Sequence, residues 1–452
     1  MNLSSLQQHY REKRPKSAAF FEQAHTLIAG GVNGNLRYYQ PFPITFEKAQ
    51  NAWLYDLDGH GYVDYLLSYG ALLLGHGHPV VRKAIQQVWE QQGTSSFGAT
   101  HPMELEMAQE LAGLYPSFEE VRFTNSGLEA TLFALRLAMA YTGKTHIAKF
   151  EGHYHGAHDH VLVSVNPTID RVGDQSSPAS VPESLGTPDY YLRHTVVLPF
   201  NDWDACEKIV TEKKDQIAAV IVEPMQSGYI PADRQFMANL RELTDRLGII
   251  LIFDEVKTGF RVSLGGAQDY YGVQPDLTAL GKVVGGGFPI GVVGGKRRLL
   301  EMCSPLRSSN RHEVVFHSGT FNGNPISLAA GLATIRYLKE PGRFESLVQR
   351  THQLRDGIHE LARQYRIPVN TVGVGTIFNV LATEAEVRNY RDLGANRHEL
   401  RLALDYLLMD HGVYSKPLNR FSMSDAHGPA EIQATLDAFE KSFAALGQFV
   451  TV

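Results

Sequence analysis

Residues 218–256 read AAVIVEPMQSGYIPADRQFMANLRELTDRLGIILIFDEV, and the fold follows from them. The run AAVIVEP, Ala218 to Pro224, is nearly all apolar, as a strand covered on both faces must be. In ADRQFMANLRELTDRLG, residues Phe236, Leu240, Leu243 and Leu247 fall on one helical stripe, and Gly248 supplies the stop. GIILIFDEV, Gly248 to Val256, is a second buried strand. Strand, helix and strand at this spacing predict a right-handed crossover in a mainly parallel sheet, an α/β fold. Upstream, VRFTNSGLEATLFALRLAMAYTG reads as a strand ending near Thr124 and a helix running from about Ser126 to Gly143.

The alternation of short β-rich runs and helical patterns spans about 120–325. Beyond Pro325 the texture changes to amphipathic helices around short strands, the mark of a smaller C-terminal α+β domain. The expected division is an N-terminal segment, 1–75, packing with the small domain, a large domain over 76–325, and the small domain over 326–452. One stretch breaks the rhythm. NPTIDRVGDQSSPASVPESLGTPD, Asn166 to Asp189, is rich in Pro, Ser, Gly and Asp and has no period, and loops of that length are usually functional or disordered.

The chain has 452 residues, more than one hydrophobic core usually serves, and its composition, 43% hydrophobic and 20% charged, is ordinary for a globular protein. A net charge of −6 gives no overall basic field for nucleic acid or a membrane surface. Two cysteines, Cys206 and Cys303, are too few for a disulfide framework and suit a reducing compartment. The polar N-terminus lacks a signal peptide's apolar core, and no run approaches the roughly 18 apolar residues of a membrane span. A soluble cytoplasmic protein acting on small molecules is the expectation, with neither nucleic acid nor membrane as partner.

In open parallel sheets ligands bind beyond the carboxyl ends of the strands, where Glu223 and Asp254 both fall. Burying Asp254 is costly unless its carboxylate meets a cation or several donors, and a protonated pyridine nitrogen would be such a partner. Capping a nearby helix or loop is the alternative. Lys282 lies between an apolar run and three consecutive glycines, surroundings that lower a lysine's pKa and make the amine nucleophilic enough for a Schiff base. Taken alone it could equally bind phosphate or lie at the surface. Asp254 and Lys282, 28 residues apart, together supply what pyridoxal 5'-phosphate (PLP) requires, an imine former and a pyridinium partner. NSGLEA, Asn125 to Ala130, sits at a strand-to-helix junction suited to a phosphate, although Ser126 is also a good plain N-cap. His76, His78, His153, His155, His158 and His160 raise a metal site, and with it a metal-dependent hydrolase that chelation would reveal. No cysteine joins them, so no metal is expected, and Tyr154 among them could stack on a cofactor ring.

These residues lie in motifs that resemble the class III PLP-dependent aminotransferases of fold type I, over about Leu27 to Phe439. The shared stretches include LYDLDGHGYVDY, LLGHGHP, NSGLEA, KFEGHYHGAHD, IVEP, DEVKTGFRV, the long run AQDYYGVQPDLTALGKVVGGGFPIGVVGG, and SGTFNGNP. Within the class the pattern is most similar to the glutamate-1-semialdehyde 2,1-aminomutases. The resemblance implies a large domain with a seven-stranded sheet, Lys282 as the Schiff-base lysine and proton shuttle, and Asp254 against the pyridine nitrogen. Tyr154 and Val256 would cover the two ring faces, with Glu223 beside the cofactor. Ser126, Gly127 and the Leu128 backbone would cradle the phosphate. Gly319 and Thr320 would reach the phosphate of a neighbouring subunit's cofactor, which implies a homodimer with shared sites. Arg37 would bind a substrate carboxylate, and the Asn166 to Asp189 loop would be a mobile gate.

Several positions depart from the aminomutase pattern. The usual SPVR is GNLR at 34–37, SWG is Ser68, Tyr69 and Gly70, the Thr after NSG is Leu128, and GTLSGNP reads GTFNGNP. KPLNRFSMSDAH, 416–427, introduces Arg420. Related β-amino-acid aminotransferases use a mobile arginine in this region for the keto-acid acceptor, so Arg37 and Arg420 are expected to hold two-carboxylate or β-amino-acid substrates, a solvent-exposed Arg420 being the alternative. The expected reaction is amino transfer between an amino donor and a carbonyl acceptor, or, alternatively, the aminomutase reaction that forms 5-aminolevulinate.

Overall fold

The 218–256 stretch folds as its pattern dictates. In the computed structural model, which describes residues 2–450, it forms strand, helix and strand in a seven-stranded sheet. The strands are β1 (Glu120–Thr124), β2 (His146–Phe150), β3 (Thr195–Leu198), β4 (Ile217–Val222), β5 (Ile250–Asp254), β6 (Leu277–Gly281) and β7 (Gly291–Gly295). Their order across the sheet is β1-β7-β6-β5-β4-β2-β3. β7 runs antiparallel to both neighbours, β1 and β6, and the other pairings are parallel.

Every residue of β4, β5 and β6 is buried, because the sheet is covered on both faces. Alternate side chains feed two cores. Ile221, Ile250 and Ile252 pack beneath helix α1 (Gly127–Thr142), whereas Val220, Val222, Leu251 and Phe253 pack with Phe236 and Leu240 of helix α2 (Arg234–Leu247). Gly248 stops α2 at φ 64°, the left-handed geometry that its missing side chain permits.

The N-terminal strands Phe46–Gln50, Trp53–Asp56 and Gly61–Asp64 gain a fourth, parallel strand from Val413–Tyr414. A three-stranded sheet, Asn370–Val374, Ile377–Leu381 and Phe421–Ser422, carries the region of Arg420. Helix α3 (Pro325–Leu338), which opens the region assigned to the small domain, packs tightly on the segment after Lys282: a Cβ at Gly331 would sit 2.0 Å from the Val284 carbonyl oxygen. Among the described residues no helix is long and apolar enough to cross a membrane.

Candidate active site

Because β4, β5 and β6 are parallel and in register, their carboxyl ends share one edge. Phe253 pairs with Val222 and Asp254 with Ala279, which brings Glu223, Asp254 and Lys282 to that edge from three strands. A cavity of about 300 Å³ opens there. Seven residues that the resemblance assigns to the cofactor line it, Ser126, Gly127, Leu128, Tyr154, Asp254, Val256 and Lys282, together with His155 of the histidine cluster.

The turn after β1 supplies one wall. Ser126 is extended at φ −154° and its Oγ accepts from the Glu129 N–H at 3.2 Å, so it caps α1. The positive end of the helix dipole, with the N–H groups of its first turn, is thereby aimed at the cavity rim. Gly127 has to lack a side chain, since a Cβ would lie 2.6 Å from Val256 Cγ1.

Asp254 is buried, which by itself raises a carboxyl pKa, but two donors reverse the balance. His155 Nδ1 lies 2.7 Å from Oδ2, and the Val256 N–H donates to Oδ1 at 3.0 Å. These bonds, with the charge of Lys257, hold Asp254 below the usual carboxylate range. Lys282, just before the glycine-rich turn, has a backbone φ of 54° that side-chain-bearing residues rarely adopt. Burial, with the charges of Lys257 and Arg420, pushes its amine down to about 7 against the opposing charges of Asp254 and Glu223.

Glu223 sits behind Tyr154. Its Oε2 accepts from the Tyr154 N–H at 2.8 Å, and its Oε1 pairs with Lys257 Nζ. The Lys257 ammonium in turn lies 5.4 Å from the centroid of the Tyr154 ring. The histidines have separate tasks. His155 serves Asp254, His153 Nδ1 accepts from the Glu223 N–H at 3.1 Å, and burial pushes His158 down to about 3. His76 bonds Asp64 at 2.8 Å and His78 stacks edge-on against Tyr337. Among the described residues no three His, Cys, Asp or Glu side chains converge to hold a metal ion.

Arg420 is half-buried, so the exposed alternative does not hold. Its Nη2 donates to the Tyr69 carbonyl at 3.2 Å, and its Nε is enclosed without a partner among the described residues. Arg37 is exposed on the turn Asn35–Arg37, outside the cavity wall. Tyr69 links the two arginines: its hydroxyl donates to the Leu36 carbonyl at 2.9 Å, and the charges of Arg37 and Arg420 both act on its phenol. Gly319 and Thr320 are exposed and do not line this chain's cavity.

Residues 166–189 contain a short hairpin, Gly173–Asp174 with Ser177–Pro178. The Arg391 guanidinium holds it, donating to the carbonyls of Val172, Gly173 and Asp174 at 3.1 to 3.2 Å and to Glu151 at 2.7 and 3.1 Å. Sequence reasoning missed this clamp, the His155 bond to Asp254, and Lys257. His155 was visible within the histidine cluster, and Lys257 three residues beyond Asp254, but neither pairing has a signal in the linear pattern.

A profile of the aminotransferase class-III family matches residues 36–423, most of the chain. The chain belongs to the class-III aminotransferases. It is 40% identical over 440 residues to a glutamate-1-semialdehyde 2,1-aminomutase of Methanocaldococcus jannaschii, covering 96% of this chain and 99% of that one. An omega-transaminase from Sphaerobacter thermophilus superposes with a TM-score of 0.91 at 36% identity, covering 96% of this chain and 98% of the other. A beta-phenylalanine aminotransferase from Variovorax paradoxus does so with a TM-score of 0.86 at 30% identity, covering 99% and 97%. Class-III aminotransferases are PLP enzymes, and this one is a PLP-dependent aminotransferase or aminomutase. The cavity fits that cofactor. Gly127 leaves a cradle that a Cβ would fill, and each Asp254 oxygen, engaged by one donor, has capacity to accept another.

Proposed function

We propose that this class-III aminotransferase moves an amino group between an amino acid or amine, β-amino acids included, and a keto acid or aldehyde, working as a cytoplasmic homodimer with shared sites. Its observation is Arg420: a guanidinium at the edge of the site with an unpartnered Nε and no carboxylate bonded to it among the described residues. Such a group suits a substrate carboxylate, which it can hold bidentately. Exposed Gly319 and Thr320, with both cysteines free and buried, support the dimer and a reducing compartment.

PLP, when bound, supplies an electron-withdrawing ring and the carbonyl that carries the amino group from donor to acceptor. Lys282 Nζ is the attachment point and, once displaced, the base that takes a proton and returns it; an amine with a pKa of about 7 does both near neutrality. Asp254, kept ionised by His155, would hold a proton on the ring nitrogen. Ser126 and the first turn of α1 would receive the phosphate, and Tyr154 and Val256 would bear on the ring. Arg37 and Arg420 orient the substrate by its carboxylates.

The test mixes the PLP-loaded enzyme with glutamate, and separately with alanine, without any keto acid, and follows the near-ultraviolet band of the cofactor. An enzyme that uses 2-oxoglutarate or pyruvate as acceptor must be converted to its amino form by one of these donors. The M. jannaschii relative favours a second reading, glutamate-1-semialdehyde 2,1-aminomutase. Loss of the band supports intermolecular transfer, whereas an unchanged spectrum with turnover of glutamate-1-semialdehyde favours the second.

A further inference from the structure

Lys257, whose charge helps to hold Asp254 ionised and to lower the Lys282 amine, has a side chain only 12% exposed that lines the same cavity as Lys282. A second lysine in such a space is costly to bury, and its ammonium is fixed from two sides. Glu223 Oε1 pairs with it, and the Tyr154 ring lies under it at 5.4 Å. Glu223 is itself only 3% exposed, and its other oxygen is taken by the N–H groups of Tyr154 and Ser227, at 2.8 and 3.4 Å. Both oxygens of this buried carboxylate are therefore engaged, and Lys257 is its cation.

Arg420 stands in the opposite situation. Its Nη2 donates to the Tyr69 carbonyl at 3.2 Å and its Nε is enclosed without a partner among the described residues, while its charge and that of Glu223 act on one another and on Lys282. A half-buried guanidinium with an enclosed Nε and a buried carboxylate attract one another, because Arg is the best partner for a carboxylate. No bond joins them among the described residues, and Glu223 is held by Lys257 instead.

We propose that Lys257 is a specificity-determining positioning residue: by clamping Glu223 against Tyr154 it keeps Arg420 open for the carboxylate of an incoming substrate. The inference rests on the reading that Arg420 receives a carboxylate. Without Lys257, Glu223 becomes an internal competitor that substrates must displace. Acceptors carrying a carboxylate then suffer, and uncharged aldehydes do not.

The experiment uses PLP-loaded Lys257→Met, Lys257→Arg, Lys257→Met/Glu223→Gln and Arg420→Ala enzymes, assayed with pyruvate, 2-oxoglutarate and propanal as acceptors. Binding of succinate, a dicarboxylate that does not turn over, is measured by calorimetry on the same proteins. Lys257→Met is expected to raise KM for both keto acids and Kd for succinate about tenfold while KM for propanal stays within about twofold. Lys257→Arg is expected to keep the wild-type preference, and Glu223→Gln to restore keto-acid KM in the Met background, because a neutral amide no longer competes. An equal fall in kcat for all three acceptors, with KM and succinate binding unchanged, would overturn the proposal. So would failure of Glu223→Gln to rescue. If Arg420→Ala leaves succinate binding and keto-acid KM unaltered, the carboxylate role of Arg420 falls. If Arg420→Ala weakens both and Lys257→Met weakens neither, that role stands and the clamp is refuted. Should Lys257→Met prove too unstable to assay, Lys257→Gln carries the same expectations.

Discussion

The Nδ1 of His155 donates to Oδ2 of Asp254 across 2.7 Å, and both side chains are buried at the carboxyl edge of the sheet. Burial alone would push Asp254 toward the neutral acid, and this bond is the largest force in the opposite direction. An acid held below its usual range stays ionised throughout the working pH and loses its charge only in strong acid. Replacing His155 with Leu leaves burial less opposed, so the carboxyl pKa rises and the acid limb of the kcat profile moves to higher pH. Hydrogen bonds to charged groups contribute about 1.5–3 kcal/mol, which translates into a fall in kcat of about tenfold to a hundredfold. A pH–rate profile of His155→Leu with the acid limb in its wild-type place would show that Asp254 does not depend on His155.

Lys282 yields a pH prediction of opposite origin. Its amine is pushed down to about 7, so it is protonated and unreactive below that pH and free above it. The rate at which cofactor-free protein captures PLP should climb by about tenfold per pH unit below 7 and level off above it. Removing the neighbouring positive charge in Lys257→Met relieves part of the depression and should displace the rise to higher pH. Lys282→Ala should capture no PLP covalently at any pH, as mass spectrometry of the borohydride-reduced protein would record.

At Gly127, the first residue of α1, packing can be tested directly. Alanine there must place its Cβ 2.6 Å from Val256 Cγ1, closer than carbon atoms come without one of them moving. Overpacking of this kind costs about 1–3 kcal/mol, paired here with displacement of Val256 from the cavity wall. Equilibrium dialysis should show weaker PLP retention in Gly127→Ala, accompanied by a lower melting temperature of the cofactor-free protein.

The parts of this enzyme legible in its sequence are those governed by burial and local backbone geometry. Strand 217–222 is apolar throughout, and strand 250–254 is apolar up to Asp254, because helices cover both of their faces, and Gly248 ends the helix between them because it can take φ 64°. That the strands are parallel then sends Glu223, Asp254 and Lys282 to one edge, which is why linear motifs already named many of the residues that line the cavity there. What escaped the sequence depends on distant pairing. His155 meets Asp254 from 99 residues away, and Arg420 meets the Tyr69 carbonyl from 351 away. No periodicity encodes either, since each rests on the register of separate elements. The aperiodic stretch 166–189 escaped for another reason. Its order combines bonds within the segment, such as Asn166 to Glu183, with a guanidinium supplied by residue 391, and neither pairing carries a periodic signature.

That external clamp is itself testable, provided charge burial is separated from loop attachment. Arg391 touches the hairpin carbonyls and also neutralises Glu151, whose side chain is only 5% exposed. Arg391→Met therefore does two things: it frees the hairpin, and it strands a buried carboxylate at a cost of about 3–5 kcal/mol. Adding Glu151→Gln removes the stranded charge and should return most of the lost melting temperature. The hairpin nevertheless remains without its donor. In the double variant, limited proteolysis should still nick the segment between the exposed Ile169 and Leu185 faster than in the wild type, because local opening has become cheaper than global unfolding. A double variant as resistant as the wild type would mean that the hairpin is kept in place by its own turn and by the Tyr390 hydroxyl on the Pro167 carbonyl, 2.8 Å away, and that Arg391 serves Glu151 alone.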